Sequence, residues 1–297
     1  MRVFITGASG FIGSAVVKEL IDAGHQVLGL TRSGEGVKTL KGLGAEVLRG
    51  DAENADDLRD GAKRTDAVIH TAFNHDFSKF LANCESDRKV IETLGDALAG
   101  TDKLLIVSSG VALAKAGQPG QLGTENDPPL SSKQFARAAS EEAANAAAAK
   151  GVRVAVVRLS QIHNTEKQGL VTFAIQIARE KGVSAYVGDG TNRWSAAPRL
   201  DTARLYRLAL EKTGKRAVYH AVAEEGVPVL DIATAIGRGL KVPVVSMTPD
   251  DGATHFGWFG HFAGLDIRSS SAQTRQQLGW NPTGPGLITD LQDMRYS

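Results

Sequence analysis

The first half of the chain alternates between short apolar runs and longer stretches in which apolar residues recur at helical spacing. The runs of strand length are Val3–Thr6, Gln26–Leu30, Ala45–Leu48, Ala67–Thr71, Leu104–Ser108 and Val152–Val157. The helical stretches between them lie near Gly10–Ala23, Ala55–Ala62, Cys84–Ala99 and Phe135–Lys150. Strands that alternate with helices form right-handed βαβ units and a parallel sheet. The pattern therefore predicts an α/β fold with a Rossmann-type doubly wound parallel sheet.

The alternation is less regular after residue 158. Helical spacing recurs at Gly169–Lys181, Thr202–Lys212, Pro228–Gly239, Ser270–Leu278 and Pro285–Met294, and strand-like runs at Ala185–Val187 and Val218–Val222. In open parallel sheets, ligands bind beyond the carboxyl ends of the strands. The residues that directly follow the predicted strands are therefore the candidates for a functional site.

The first apolar run leads into a turn with three glycines, Gly7, Gly10 and Gly13, and then into a helical stretch. Backbone N–H groups at a helix start, together with the positive end of the helix dipole, attract a pyrophosphate. Glycines also occur in turns that bind nothing. Here a strand precedes the turn and a helix and second strand follow it, which is the context of dinucleotide-binding turns. The sequence predicts that a dinucleotide binds at this turn.

The turn reads Thr-Gly-Ala-Ser-Gly-Phe-Ile-Gly over residues 6–13. It resembles the glycine motif of the extended branch of the short-chain dehydrogenase/reductase superfamily, also called the NAD-dependent epimerase/dehydratase family. The resemblance implies that Ser9, Phe11 and Ile12 contact the cofactor together with the three glycines.

The same resemblance implies how the chain is divided into domains and how it assembles. The expected NAD(P)-binding Rossmann domain covers residues 1–165, with 185–222 returning to it, and the expected substrate-binding region covers 166–184 and 223–297. In the family, the helices that correspond to 84–99 and 135–150 form a dimer interface. A homodimer is therefore expected through these helices.

The end of the second predicted strand bears on the choice between NADP(H) and NAD(H). An acidic side chain there would bind the ribose hydroxyls of NAD and repel a 2′-phosphate. This chain has Thr31, Arg32 and Ser33 instead. A guanidinium pairs well with phosphate, and the two hydroxyls can donate hydrogen bonds to it. The sequence favours NADP(H) over NAD(H), the alternative for Arg32 being a solvated loop charge.

Further cofactor contacts are implied by short matches after later strands. Asp51 and Ala52 resemble the family's Gly-Asp-Leu/Ile, in which the aspartate holds the adenine amino group, although aspartate is also a common helix N-cap. The stretch of Thr71, Ala72 and Phe73 corresponds to residues that run along the cofactor.

The resemblance also implies contacts at the nicotinamide end. Ser108 would contact the nicotinamide and Ser109 the substrate carbonyl, the alternative for both being a polar strand end. Leu159 follows the sixth strand, where the family lines the same end of the cofactor.

The family's catalytic Tyr-x-x-x-Lys motif would fall within residues 131–142, and no tyrosine lies there. One alignment places Phe135 and Ala139 at the Tyr and Lys positions. Another places Ala136 or Arg137 at the Tyr position and Ser140 at the Lys position. This departure resembles the atypical subgroups of the superfamily.

If the chain is a reductase, the hydride comes from the cofactor and the proton from another donor or from water. Histidine titrates near neutrality, and His163 follows the sixth strand, where the family lines the nicotinamide end. Lys133 and Arg137 are further candidates for the same role. A loop histidine that is merely polar surface is the alternative for His163.

Candidate substrate contacts come from three regions outside the glycine turn. His75 follows the fourth strand, and Arg193 and Trp194 belong to a stretch that resembles a substrate-bordering segment of the family. Phe256 and Trp258 lie in an aromatic stretch interrupted by glycines. Such a stretch forms either an apolar lid over a planar substrate or a buried hydrophobic patch.

Composition narrows the classes of function. The 297 residues carry a net charge of +1, so no strong field favours nucleic acid or a membrane surface. The single cysteine, Cys84, excludes an internal disulfide and a cysteine zinc cluster, and no metal site is expected. Because the chain opens on a strand and has no membrane-spanning apolar run, a cytoplasmic location is expected.

These observations together predict an NADPH-dependent oxidoreductase of the atypical short-chain type. Its expected substrate is a small carbonyl, imine or enone. The alternatives are an NAD(P)-binding sensor or regulatory protein without turnover and an NAD(P)-dependent epimerase or dehydratase.

Overall fold

The protein is described from a computed structural model, which covers residues 1–114 and 120–296. Its strands, in chain order, are β1 (Arg2–Thr6), β2 (Gln26–Thr31), β3 (Glu46–Arg49), β4 (Ala67–His70), β5 (Leu104–Gly110), β6 (Arg153–Leu159), β7 (Gln161–His163), β8 (Ser184–Val187), β9 (Arg193–Pro198), β10 (Arg216–Ala221), β11 (Glu224–Pro228) and β12 (Val244–Met247). Its helices are α1 (Phe11–Asp22), α2 (Gly34–Gly42), α3 (Ala55–Lys63), α4 (Phe80–Leu98), α5 (Ala139–Ala149), α6 (Val171–Lys181), α7 (Arg199–Lys212), α8 (Val229–Leu240), α9 (Pro249–Phe256), α10 (Gly260–Ala263), α11 (Ala272–Leu278) and α12 (Leu287–Asp293).

The main sheet is parallel and has the strand order β10-β6-β5-β4-β1-β2-β3 over the described residues. Its strands read as continuous apolar runs because helices cover both faces; Val3, Phe4 and Ile5 of β1, for example, are fully buried. The strand order reverses between β1 and β4. Doubly wound sheets bind ligands at such a switch point. The predicted fold class is confirmed.

Two helical layers enclose this sheet. On one face α1 packs against α7, and on the other α4 packs against α5 and α3. The alanine-rich sequence of α5 lets it approach α4 closely. A Cβ built on Gly95 of α4 would lie 2.8 Å from the Cβ of Ala147. Small side chains at this contact therefore set the spacing of the two helices.

The elements between residues 184 and 228 contribute to three sheets. Strand β10 pairs with β6 in the main sheet, β9 pairs with β7 and β11, and β8 pairs with β12. Gly188 and Gly190, between β8 and β9, adopt positive φ in a tight turn. Parallel neighbours in one sheet require a long crossover, so β8 and β9 do not pair with each other.

Helix α2 is the element in the first half that the apolar pattern did not predict. Its nine residues include three glycines, and glycine has a low intrinsic helix propensity. The structure supplies tertiary contacts in compensation. Leu40 is fully buried, and the hydroxyl of Ser33 accepts a hydrogen bond from the backbone N–H of Gly36. None of the helices in residues 1–114 and 120–296 combines the length and apolar character needed to cross a bilayer.

The contact between α4 and α5 provides a test of this packing. We expect Gly95→Val to lower the free energy of unfolding by about 2 kcal/mol, because overpacking a close-packed contact typically destabilises by such an amount. Gly42→Ala is the control, since no atom lies within 4 Å of a Cβ built there. Its better helix propensity should leave stability unchanged or slightly higher. Urea unfolding followed by circular dichroism measures both changes, and equal stabilities would contradict the proposed contact.

Candidate active site

The glycine turn after β1 lies against the end of β4. Gly7 has a φ of +67°, and a Cβ on it would lie 2.6 Å from the backbone nitrogen of Ala72. A Cβ on Gly13 would lie 2.1 Å from the carbonyl oxygen of Gly7 and 2.9 Å from Oγ1 of Thr71. Only glycine fits at both positions without displacing backbone. The sequence therefore brings the start of α1 to the switch point of the sheet, and Gly10 is its N-cap.

Two cations lie beside the first turn of α1. The Arg199 guanidinium donates hydrogen bonds to the carbonyl oxygen of Phe11, at 2.5 Å, and to Oγ of Ser14, at 2.7 Å. It also lies 4.9 Å from the centroid of the Phe11 ring, and Nζ of Lys167 lies 5.7 Å from the same centroid. Cations at a helix N-terminus are unfavourable for the helix dipole. A pyrophosphate at this place would compensate both the dipole and the cations.

Sequence reasoning missed both Arg199 and Lys167. Burial lowers the pKa of Arg199, an effect that the charge of Glu166 opposes. The signal that was available is the position of Arg199 at the end of β9, but its contact with a turn nearly 190 positions earlier depends on the packing of α7 against α1.

The predicted adenosine contacts lie together at the ends of β2 and β3. Oγ1 of Thr31 is 3.5 Å from Oγ of Ser9, and Nη1 of Arg32 is 3.3 Å from Oδ2 of Asp51. The Arg32 side chain is 78% exposed. An ion pair so open to water contributes little to stability, so the guanidinium can exchange its partner for a phosphate.

The turn after β3 contains Asp51, for which the sequence allows either an adenine contact or a helix N-cap. Asn54, and not Asp51, caps α3 by accepting a hydrogen bond from the backbone N–H of Asp56. Asp51 is therefore not needed as a helix cap. Ala52 follows it and is half-buried at the same edge of the sheet.

Ser108 and Ser109 point to opposite faces of the sheet, as successive residues of a strand do. Oγ of Ser108 donates to the carbonyl oxygen of His70 at 2.7 Å and lies 2.6 Å from the hydroxyl of Tyr206. Tyr206 is fully buried, and burial raises the pKa of its phenol. The side chain of Ser108 is thus held beneath the strand end by α7.

Ser109 lies in a buried charged network on the other face. Its hydroxyl donates to Oε1 of Glu141 at 2.7 Å, and Arg158 binds both oxygens of that carboxylate. Arg158 also reaches Nε2 of His220, at 3.4 Å. Because Ser109 is only 4% exposed, this position does not favour the expected contact with a substrate carbonyl.

His163 is likewise held in a buried pair. Its ring is fully buried, and Nδ1 is 2.6 Å from Oδ2 of Asp290 in α12. This pair fastens the C-terminal helix to β7. The placement therefore favours a structural role for His163 over the proton-donor role expected from the sequence. Leu159, at the end of β6, is half-buried and packs against the main core.

The segment 131–142 contributes Arg137 to a network of buried side chains. A buried chain of contacts runs from Oγ1 of Thr6 to Nδ1 of His70 (2.6 Å) and from Nε2 of His70 to Oδ1 of Asp87 (2.9 Å). Oδ2 of Asp87 then accepts a hydrogen bond from Nη1 of Arg137 at 2.9 Å and another from the hydroxyl of Ser140. Burial opposes ionisation of Asp87, but the charges of Arg137 and His70 outweigh it, so that its pKa lies below the usual range.

Arg137 lies where the ends of β4 and β5 meet. Its Nη2 donates to the carbonyl oxygen of Ser108 at 3.1 Å, and its guanidinium carbon is 4.2 Å from the centroid of the Phe73 ring. The His75 ring packs edge-on against the Phe73 ring, with the two ring centroids 5.3 Å apart. Burial and then the charges of Lys167 and Arg137 lower the pKa of His75. Lys167 and Arg137 therefore both lie near His75, and we call the region bounded by these three side chains and the glycine turn the cleft.

Aromatic side chains form one side of this cleft, which we call the aromatic wall. Its members come from the loop after β4, from the start of α4, from the segment before α5, from α6 and from the stretch after α9: Phe73, Phe77, Phe80, Phe135, Phe173, Trp258 and Phe262. Phe77 and Trp258 stack with their centroids 4.3 Å apart. Trp258 remains 43% exposed.

The other predicted substrate residues lie elsewhere. Trp194 and Phe256 are buried in the core of the smaller region, and Nε1 of Trp194 donates to the carbonyl oxygen of Leu265. Arg193 is exposed, with its backbone N–H bound to Asp266. The aromatic stretch is thus divided, because Phe256 lies in the core and Trp258 lies in the aromatic wall. Within the described residues, no group of three or more His, Cys, Asp and Glu side chains could hold a metal ion.

The fold and the glycine turn define an α/β protein with a dinucleotide-binding site of the Rossmann type at the switch point of its sheet. Residues 3–223 match the family model described as the NAD dependent epimerase/dehydratase family. Because this match spans most of the chain, the protein belongs to the NAD-dependent epimerase/dehydratase family.

Individual relatives agree with this assignment. An uncharacterized protein of Schizosaccharomyces pombe is 42% identical over 301 residues, which cover 100% of both chains. The decarboxylating sterol-4-alpha-carboxylate 3-dehydrogenase of Dictyostelium discoideum is 26% identical over 253 residues, 76% of this chain and 72% of that one. The crystal structure of UDP-glucuronic acid 4-epimerase from Bacillus cereus with UDP-glucuronic acid and NAD has a TM-score of 0.76 at 17% identity and covers 100% of this chain and 98% of that chain. The structural match establishes the fold, and the dehydrogenase relative supports an NAD(P)-dependent oxidoreductase.

The network behind Ser109 predicts a pH dependence of stability. Burial lowers the pKa of His220 from 6.5 to about 4. Between these values the unfolded chain binds a proton that the folded protein does not, so the free energy of unfolding falls as the pH drops from 6.5 to 4. We expect His220→Gln to reduce that fall by about 3 kcal/mol. Urea unfolding at several pH values measures it, and an unchanged pH dependence in the variant would contradict a neutral buried His220.

Proposed function

We propose that the protein is an NADPH-dependent oxidoreductase that reduces a small, partly apolar carbonyl, imine or enone. One observation carries the proposal: the pyrophosphate turn and the aromatic wall adjoin at the end of β4. Gly7 closes onto the backbone of Ala72, and the next residue, Phe73, begins the wall. A nicotinamide bound through the glycine turn would thus face apolar and cationic side chains. Such surroundings suit a flat, neutral substrate that gains negative charge during hydride transfer.

The polar groups of the cleft favour reduction over epimerisation or dehydration. Both alternative reactions begin, in this family, with the removal of a proton by the motif tyrosine, and residues 131–142 contain none. Tyr206 does not replace it, because it is fully buried and burial raises the pKa of its phenol. In a reduction the hydride comes from the cofactor, so the protein needs only to orient the substrate and stabilise its charge.

The proposal also includes the choice of cofactor, and it leaves a second candidate function. Arg32, with Thr31 and Ser33 on either side, supports NADPH over NADH. A sensor or regulatory protein that binds NAD(P) without turnover is the second candidate, since the nucleotide turn does not itself require catalysis. A homodimer through helices 84–99 and 135–150 and a cytoplasmic location stay predictions.

Turnover of a defined panel of substrates tests the proposed function. NADPH oxidation is followed at 340 nm with benzaldehyde, trans-cinnamaldehyde, methylglyoxal, 2-cyclohexen-1-one and a cyclic imine. We expect steady consumption with at least one aromatic or enone compound and none without it. Binding of NADPH that raises the melting temperature, with no consumption on the whole panel, would favour the sensor. Interconversion of nucleotide sugars in the presence of NAD would instead favour an epimerase.

The choice of cofactor is tested at Arg32. We expect Arg32→Glu to weaken NADPH binding at least tenfold and to leave NADH binding almost unchanged, because a carboxylate repels the 2′-phosphate. Lys38→Glu is the matched control, since it makes the same charge reversal on an exposed side chain of α2. Fluorescence titration with both cofactors gives the dissociation constants. An unchanged ratio of the two constants in Arg32→Glu would remove Arg32 from cofactor selection.

A further inference from the structure

We propose that Arg137 holds the carbonyl oxygen of the substrate and stabilises the charge that forms there during hydride transfer. The inference rests on the proposed reductase function and gives the cleft a cationic hydrogen-bond donor in the segment 131–142, which contains no tyrosine. It also defines the substrate as a carbonyl compound with a flat, apolar body.

The first argument is the way in which the Arg137 side chain is held. Its Nη1 donates to Asp87 and Ser140, and its Nη2 donates to the carbonyl oxygen of Ser108. An arginine has five N–H donors, and these contacts use three of them. Among residues 1–114 and 120–296, two N–H groups of Arg137 therefore remain for an oxygen of a ligand. One face of the guanidinium lies over the Phe73 ring, and its side chain keeps 15% of its surface exposed.

The second argument is that this guanidinium is fixed before any substrate arrives. Asp87 is 5% exposed and is itself held by His70, which Thr6 binds from the strand of the glycine turn. Donors that do not reorganise during the reaction stabilise a developing charge most effectively. Asp87 and His70 are positioning residues in this account, since they act through Arg137.

The third argument is the combination of charge and aromatic surface. Arg137 contacts Phe73 of the aromatic wall, and Phe80 and Phe135 extend that wall on the side of α4 and α5. A substrate whose oxygen reaches Arg137 would therefore lay its body against aromatic rings. Offset or edge-to-face contact with such rings favours flat groups. Benzaldehyde and cinnamaldehyde are simple members of this class.

The reduction requires a hydride from NADPH and a proton from water. Bound NADPH would supply the hydride from its dihydronicotinamide to the carbonyl carbon, and the π electrons of the C=O bond would move to the oxygen. The resulting alkoxide is held by the Arg137 N–H groups and takes a proton from water, since arginine itself stays charged. The substrate is reduced to an alcohol, and NADPH is oxidised to NADP⁺.

Benzoate binding to the protein saturated with NADP⁺ tests the proposal without requiring turnover. Benzoate places negatively charged oxygens on a flat ring and so imitates the alkoxide. We expect calorimetry to show that wild type binds benzoate and that Arg137→Met weakens binding at least tenfold. Arg88→Met is the matched control. Arg88 follows Asp87 in α4 and forms an ion pair with Glu142 of α5, and the variant should bind benzoate as wild type does.

Several outcomes decide the proposal. Absence of benzoate binding to wild type, or equal binding by Arg137→Met, would overturn it. If Arg137→Met does not fold, as circular dichroism would show, Arg137→Lys keeps the test open: a lysine should bind benzoate more weakly than wild type, because it lacks the planar fork. Equal binding by Arg137→Lys would also count against the role of the guanidinium.

A second readout separates this inference from the proposed function. In the NADPH assay, kcat for benzaldehyde should fall at least a hundredfold in Arg137→Ala, with the NADPH dissociation constant unchanged. Guanidinium chloride at millimolar concentration should restore part of that loss in Arg137→Ala, which a merely structural arginine would not allow. If Arg137→Ala turns over benzaldehyde as fast as wild type does, the role of Arg137 is wrong, while the reductase function is not affected. No turnover by wild type would contradict the reductase, while benzoate binding would still decide the role of Arg137 as an oxyanion site.

Discussion

The close approach of the glycine turn to the end of β4 is the contact on which the site depends. Gly13 lies against the carbonyl of Gly7, and Gly7 lies against the backbone of Ala72. Because these contacts are between backbone atoms, no flexible side chain can relax them. They fix the start of α1 relative to the loop that follows β4. The same contact therefore places the nucleotide turn and the first residues of the aromatic wall next to each other.

A second constraint is the layer of polar side chains buried beneath the strand ends. Thr6, His70, Asp87 and Arg137 form a continuous chain from β1 to the segment before α5. Removing one partner of a buried ion pair typically destabilises a protein by about 3–5 kcal/mol. Such a chain is unfavourable unless every member finds its partner. Its arrangement thus ties the geometry of the cleft to the stability of the domain.

The sequence predicted the main sheet well because its strands are buried on both faces and read as apolar runs. It predicted less where the partner of a residue is distant in the chain. Ser109 and His163 were expected in the cleft, yet Glu141 and Asp290 hold them in buried pairs. The alternation of a strand predicts that Ser108 and Ser109 lie on opposite faces of the sheet, but it does not predict that Ser109 meets the Glu141 carboxylate. The spacing of the aromatic residues likewise does not predict that Phe256 lies in the core and Trp258 in the aromatic wall.

Sequence reasoning missed Arg199 and Lys167. Both are cations, like Arg137, and their positions depend on how distant parts of the chain pack together. Arg199 reaches the glycine turn because α7 lies against α1, and Arg137 reaches the strand ends because α4 presents Asp87 to it. Charge in a cleft of low dielectric acts more strongly than in water. A cleft without the tyrosine and lysine can therefore still attract an anionic cofactor and stabilise an oxyanion, provided that the sheet holds these cations at its edge. The departure from the family motif then changes which groups supply the charge, while the fold continues to determine where that charge lies.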